Sequence, residues 1–121
     1  MNVAVVGASD DPEKYSYKAL QLLLENGHRV FPVHPKLRNI GNLKVYPAIS
    51  SVPEKIHTIS LYVSKEISSR IEAELIAAAP ARIIFNPGAE NPELEARVRT
   101  SGIQALEACT LVLLKTRQFG V

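Results

Sequence analysis

The sequence predicts an α/β fold, a single doubly wound domain with a five-stranded parallel sheet, helices on both faces and strand order 3-2-1-4-5. Three observations predict it. Five short apolar runs alternate with segments of helical period along 121 residues, a length that suits one domain and leaves no room for a separate substrate domain. The first run, Val3 to Val6, is unbroken and rich in β-branched residues, as expected of a strand covered on both faces. Gly7 then ends it with a residue free to take a backbone conformation closed to others.

The elements follow in order. After Gly7, the small residues Ala8 and Ser9 allow a ligand to approach the main chain, and Asp10, Asp11 and Pro12 offer N-cap chemistry with proline near a first helical position. Residues 15 to 26 place Ala19, Leu20, Leu22, Leu23 and Leu24 on a broad apolar face, and Asn26-Gly27 supplies the stop. His28 to Val33 reads as the second strand, leaving the sheet through Pro32-Val33-His34-Pro35-Lys36. Residues 37 to 50 are irregular, and a connection of that length in a compact domain is more often a working loop than a passive one. Ser51-Val52-Pro53-Glu54 is expected to cap a single helical turn before the third strand, His57 to Val63.

Ser64 caps a helix over about 65 to 79, with Ile67, Ile71, Leu75 and Ile76 at helical spacing and Pro80 closing it. Arg82 to Phe85 is the fourth strand. Asn91-Pro92-Glu93 starts a further helix with a good cap and an acidic first turn, ending at Gly102. Ile103 to about Leu106 is the fifth strand, and Cys109 to Phe119 a final helix.

Composition bounds the chemistry. With 46% hydrophobic and 21% charged residues, neither disorder nor a membrane span is expected, and the chain reads as cytoplasmic. One cysteine excludes an internal disulfide and a cysteine-cluster zinc site. The three histidines are not spaced as ligands, so no structural metal is expected. A net charge of +2 is too small to imply nucleic acid, yet leaves room for a local basic pocket.

In a doubly wound sheet a ligand binds beyond the C-terminal strand ends where the order reverses, expected here between the first and fourth strands. The turns after Val6, Val33, Val63 and Phe85 meet at that edge or beside it. A helix opening beside the first turn offers unpaired amides and the positive end of its dipole to an anion such as a phosphate. The dinucleotide pattern G-x-G-x-x-G is incomplete, with Ser9 and Pro12 where two of its glycines belong. The end of the second strand also lacks the carboxylate that accepts from a ribose in NAD sites, and carries Lys36 instead. A cation there suits a ribose phosphate, which both NADP and coenzyme A possess.

Five motifs, in order, carry a resemblance. These are Val6 through Ser16, Val30 through Lys36, Gly41 with Val45-Tyr46-Pro47, Asn86-Pro87-Gly88-Ala89-Glu90, and Cys109. Together they closely resemble the small stand-alone CoA-binding proteins, which are similar to the N-terminal domain of the succinyl-CoA synthetase α chain. The resemblance implies a Rossmann-like domain over residues 1–121 that binds coenzyme A, with pyrophosphate at the first turn and the adenosine 3′-phosphate near Lys36. It implies that Gly7, Ala8 and Ser9 line the phosphate turn and that Lys14, Tyr15 and Ser16 close over it. Pro35 and Lys36 would flank the adenosine, while Tyr62 and Val63 pack against adenine or ribose. Ser64 stands where the related domains usually have proline.

The function expected is binding of coenzyme A or a small acyl-CoA with no chemistry of the chain's own, the protein acting alone, as a homodimer, or with a partner enzyme chain. The alternatives are an NADP-dependent reductase or a detached subunit of an acyl-CoA ligase, and a redox-responsive regulator using Cys109. His34 beside the site is expected to shape the loop rather than to catalyse. Ser9 and Ser16 have no visible base to activate them and are expected to bind phosphate or cap.

Overall fold

The structure, a computed structural model, describes residues 1–120. In chain order it runs β1 (Asn2–Val6), α1 (Tyr15–Glu25), β2 (Arg29–Val33), β3 (Asn39–Ile40), β4 (Leu43–Lys44) and a 3₁₀ turn (Ile49–Ser51). It continues through β5 (Thr58–Leu61), α2 (Lys65–Arg70), α3 (Glu72–Ala77), β6 (Arg82–Phe85), α4 (Pro92–Thr100), β7 (Gln104–Glu107) and α5 (Thr110–Lys115). Five of the strands form one parallel sheet in the order β2-β1-β5-β6-β7, while β3 and β4 make a separate antiparallel hairpin. No helix among the described residues is long and apolar enough to cross a membrane.

Alternation along β1 explains the two layers. Ala4 and Val6 point to one face, where Leu75 of α3 and Leu94 and Val98 of α4 cover them together with Phe31, Ile59, Ile83 and Phe85. Val3 and Val5 point to the other, against Leu20 and Leu23 of α1 and Leu114 of α5. Both faces of the sheet are therefore buried, which is why its strands are apolar runs rather than alternating ones. Each fully buried leucine contributes roughly 1.5–3 kcal/mol relative to its exposed state, so α1 is held by packing more than by its own propensity.

The α/β class and the five-stranded parallel sheet agree with expectation; the order 3-2-1-4-5 does not. The third large strand, β5, lies against β1 on the side opposite β2, with Val3 to Val6 opposite Thr58 to Leu61. The reason is local to the connection. The outer edge of β2 is already occupied: Tyr46 makes a single parallel bridge to Val33, its amide donating to the Pro32 carbonyl at 2.9 Å and its carbonyl accepting from the His34 amide at 2.9 Å. One bridge of the β4-to-3₁₀ segment takes the place foreseen for β5, and the chain then crosses to the free edge of β1. The reversal of order, expected between the first and fourth strands, therefore falls between β1 and β5.

Two other departures have physical causes. The helix expected over 65–79 is split at Ile71, where φ is −104° and ψ is 14°. Just before the break the Asn91 side-chain amide donates to the hydroxyls of Ser68 and Ser69 at 2.8 and 3.1 Å, and the Ser68 hydroxyl bonds back to the Lys65 carbonyl; serine back-bonding of this kind bends helices. The helical turn expected to be capped at Ser51 comes earlier and ends there, the Ser51 hydroxyl donating to the Ala48 carbonyl at 2.7 Å. The caps expected at Ser64 and Asn91 are formed, accepting from the amides of Ile67 and Leu94.

Candidate functional site

At the C-terminal ends of β1, β2 and β5 the sheet opens into a cleft of about 640 Å³. Of the ten expected site residues, all but Lys36 line it: Gly7, Ala8 and Ser9 after β1, Lys14, Tyr15 and Ser16 at the start of α1, Pro35 after β2, and Tyr62 and Val63 after β5. Lys36 is exposed and stands one residue beyond the wall.

Gly7 shows why the turn can be so tight. Its φ of +87° lies in the left-handed region, and a Cβ there would come within 2.9 Å of Val63 Cγ1 and 3.1 Å of the Tyr62 carbonyl carbon. A glycine at this point lets the end of β5 press against the first turn. The amides of Gly7 and Ala8 both donate to the Val33 carbonyl, at 3.1 and 3.2 Å, so they join β1 to β2 and are not open to a ligand. Gly7 and Ala8 thus shape the floor.

The donors for an anion sit further along. Asp11 does not cap the helix: its side chain accepts from the Glu13 amide at 3.0 Å and its carbonyl from the Lys14 amide at 3.0 Å. Both groups are spent on the turn that precedes the helix, and α1 begins only at Tyr15. Lys14 occupies the N-cap in an extended conformation, makes no side-chain cap, and no acidic residue falls in the first turn. The eleven-residue helix therefore presents its N-terminal amides and dipole to the cleft with no acidic side chain in its own first turn, the nearest carboxylates being those of Asp11 and Glu13 just before it. Ser16, only 5% exposed, and Lys14 line the cleft at that end. Tyr15, 69% exposed, lies over the rim with the Lys18 ammonium 5.7 Å from its ring.

The loop after β2 is shaped by His34. Its Nδ1 accepts from the amides of Lys36 and Leu37 at 3.0 and 3.2 Å, which assigns the ring proton to Nε2 in the neutral form and folds the loop so that Pro35 meets the cleft. On the opposite wall, Tyr62 buries a hydroxyl that finds no partner among the described residues, and burial pushes the phenol up to about 12. The neighbouring hydroxyls of Ser60 and Thr110 satisfy each other at 2.8 Å instead.

Reading the sequence missed the far half of the cleft. Pro47, Ala48 and Ile49 form one side of it and Ile67, Ile71 and Glu74 the other. The length of the 37–50 connection was a usable signal for the first group. Ile67 and Ile71 have the spacing of a core-facing pair, yet Ile67 is 42% exposed and faces the cleft. Cys109, half-buried at the N-cap of α5, lies outside the cleft wall. Among the described residues no three His, Cys, Asp or Glu side chains are grouped to hold a metal ion.

A family model described as a CoA binding domain matches residues 1–115. The α subunit of the ADP-forming acetate-CoA ligase II of Pyrococcus furiosus is 31% identical over 65 residues, which is 53% of this chain and 14% of that protein. The chain thus spans about one seventh of the length of that curated relative. Among solved structures, a protein of uncharacterised role superposes with a TM-score of 0.92 at 30% identity, over 98% of this chain and 97% of its own. The dinucleotide-forming acetyl-coenzyme A synthetase 1 of Ca. Korarchaeum cryptofilum, in complex with phosphate and ADP, superposes with a TM-score of 0.75 at 29% identity, over 88% of this chain and 25% of that one.

Proposed function

The chain belongs to the CoA binding domain family, and from that premise we propose that the cleft holds coenzyme A or a small acyl-CoA and that the chain binds it without reacting with it. The pyrophosphate sits at the N-terminus of α1, among Ser9, Lys14 and Ser16. The adenosine lies between Pro35 and the Tyr62-Val63 pair, with its 3′-phosphate reached by Lys36. One observation carries the reading: α1 opens into the cleft with neither a side-chain cap nor an acidic first turn, an arrangement that suits a bound anion. The cleft volume of about 640 Å³ falls within the range of small-molecule and cofactor sites.

Isothermal titration with coenzyme A, dephospho-coenzyme A, NAD and NADP tests it. Coenzyme A is expected to bind most tightly, and removal of its 3′-phosphate to weaken binding in the wild type but not in Lys36→Ala. Equal affinity for all four ligands would overturn the assignment, and equal affinity for coenzyme A and its dephospho form would remove Lys36 from it.

A second reading has its own support in the acetate-CoA ligase relative, of which this chain matches a small part. On that reading the chain works as a detached CoA-binding subunit, and the chemistry belongs to a partner enzyme chain. Acyl-CoA formation that requires both chains and falls in Lys14→Ala supports it; a full rate from the partner alone excludes it.

A further inference from the structure

The cleft has two unlike ends. At one, the α1 N-terminus offers amides, Ser16 and Lys14; at the other, the walls are aliphatic, with Ile49 on the 3₁₀-turn side and Ile67 and Ile71 on the α2-α3 side. A single carboxylate closes that apolar arm. Glu74 of α3 lines both this cleft and a smaller neighbouring hollow of about 320 Å³, so it stands at the partition between them. Its Oε1 accepts from the Ser50 hydroxyl at 2.9 Å, across the gap between α3 and the 3₁₀ turn. Among the described residues its Oε2 has no hydrogen-bond or ion-pair partner, and no cation is paired with it.

We propose that Glu74, held by Ser50, selects the base of the bound nucleotide by accepting a hydrogen bond from an exocyclic amine, and so favours adenine over a 6-oxopurine. The proposal rests on the coenzyme A reading of the same cleft. Of the parts of that ligand, the base alone is flat, weakly polar and tipped with a donor, which suits a slot of isoleucines ending in an acceptor. The pyrophosphate belongs at the other end, where the α1 donors are. An ionised carboxylate can only accept. It pairs with the 6-amino group of adenine and opposes the 6-oxo group of hypoxanthine, which leaves two acceptors facing each other with nothing between them. Ser50 is a positioning residue: by engaging Oε1 it fixes the carboxylate and leaves Oε2 for the ligand.

The test compares coenzyme A with its deaminated analogue, in which hypoxanthine replaces adenine, by isothermal titration on wild type, Glu74→Gln and Ser50→Ala. Wild type is expected to prefer the adenine form by about fivefold, the size expected of one hydrogen bond at a partly exposed carboxylate. In Glu74→Gln the new side-chain amide can donate to the 6-oxo group, so the ratio should fall towards one while thermal melting stays close to wild type. Ser50→Ala is expected to narrow the ratio by less. The ratio is the deciding readout, since a merely structural role would weaken both ligands equally. Wild type that binds both forms alike overturns the proposal and leaves the coenzyme A reading standing, as does a preference that survives Glu74→Gln. Wild type that binds neither form overturns both.

Discussion

The two edges of the parallel sheet differ in how completely their polar groups are paired. At the N-terminal edge the polar groups are matched to one another. Arg82, 5% exposed, donates from Nε to Thr58 Oγ1 at 2.9 Å and through its guanidinium to the Phe119 carbonyl, while the Phe119 ring lies 4.5 Å beneath it. The same ring meets His28 edge-on at 5.2 Å, and His28 Nδ1 pairs with the amino terminus at 3.2 Å. At the C-terminal edge a satisfied cluster, Asn86 with Ser60 and Thr110, stands beside groups left open: α1 has no side-chain cap, the Tyr62 hydroxyl is unpaired among the described residues and Gly7 is held at positive φ. Buried polar groups in folded proteins are nearly always satisfied, so the Tyr62 hydroxyl is an exception. The N-terminal edge closes on itself, whereas at the other α1 opens into the cleft with no side-chain cap.

That contrast can be broken most directly at its closed end. Arg82→Met should cost about 2–3 kcal/mol of stability, because Thr58 and the Phe119 carbonyl lose a charged donor. Urea unfolding would read this as a lower midpoint, with coenzyme A affinity at a temperature well below melting unchanged. A loss of affinity as large as the loss of stability would mean that the two edges are not independent. Gly7→Ala comes next and acts on both properties. It forces an alanine into the left-handed region, at about 1–2 kcal/mol, and its methyl pushes Val63 away, so melting temperature and affinity should fall together.

Lys14→Ala sharpens the comparison from the open side. Its side chain makes no cap, so stability should stay within about 0.5 kcal/mol of wild type, as for surface positions generally, while coenzyme A affinity falls by about tenfold for the loss of one charge-assisted contact to phosphate. An unchanged affinity by titration calorimetry would remove Lys14 from the phosphate site. The smallest effect concerns pH. Burial, the charged amino terminus and Arg82 hold His28 below its usual 6.5, and burial, Arg82 and the amino terminus do the same for His57. The unfolded chain therefore takes up these protons more readily than the folded one, so stability is complete above pH 6.5 and declines as the pH falls through that value. Denaturation midpoints between pH 5 and 8 should show this slope, and His28→Asn with His57→Asn should flatten it.

Much of this was legible in the chain. The run Val3 to Val6, Gly7 and the small residues after it mark a strand and a tight turn whatever surrounds them, because β-branching and positive φ act within a few residues. The caps at Ser64 and Asn91 are local in the same sense. The expected site residues, Lys36 apart, came together for a topological reason: in a parallel sheet the turns that follow the strands lie on one edge. Asp11 misled because a side chain able to cap a helix can equally cap the turn before it, and only the position of Tyr15 decides which.

By itself, then, the sequence determined the class of fold, the boundaries of the five strands of the main sheet to within a residue or two, and the turn at which a ligand is expected, while the β3-β4 hairpin lay in the stretch it left irregular. The tertiary structure alone decided that β5 pairs with the free side of β1, that Tyr46 holds the outer edge of β2, and that Ile67 and Glu74 face a cleft instead of the core. The division follows from range. Backbone preference and hydrophobic period are short-range properties written residue by residue, whereas the neighbour of a strand and the surface opposite a helix depend on which distant segment reaches them, and no local pattern encodes that.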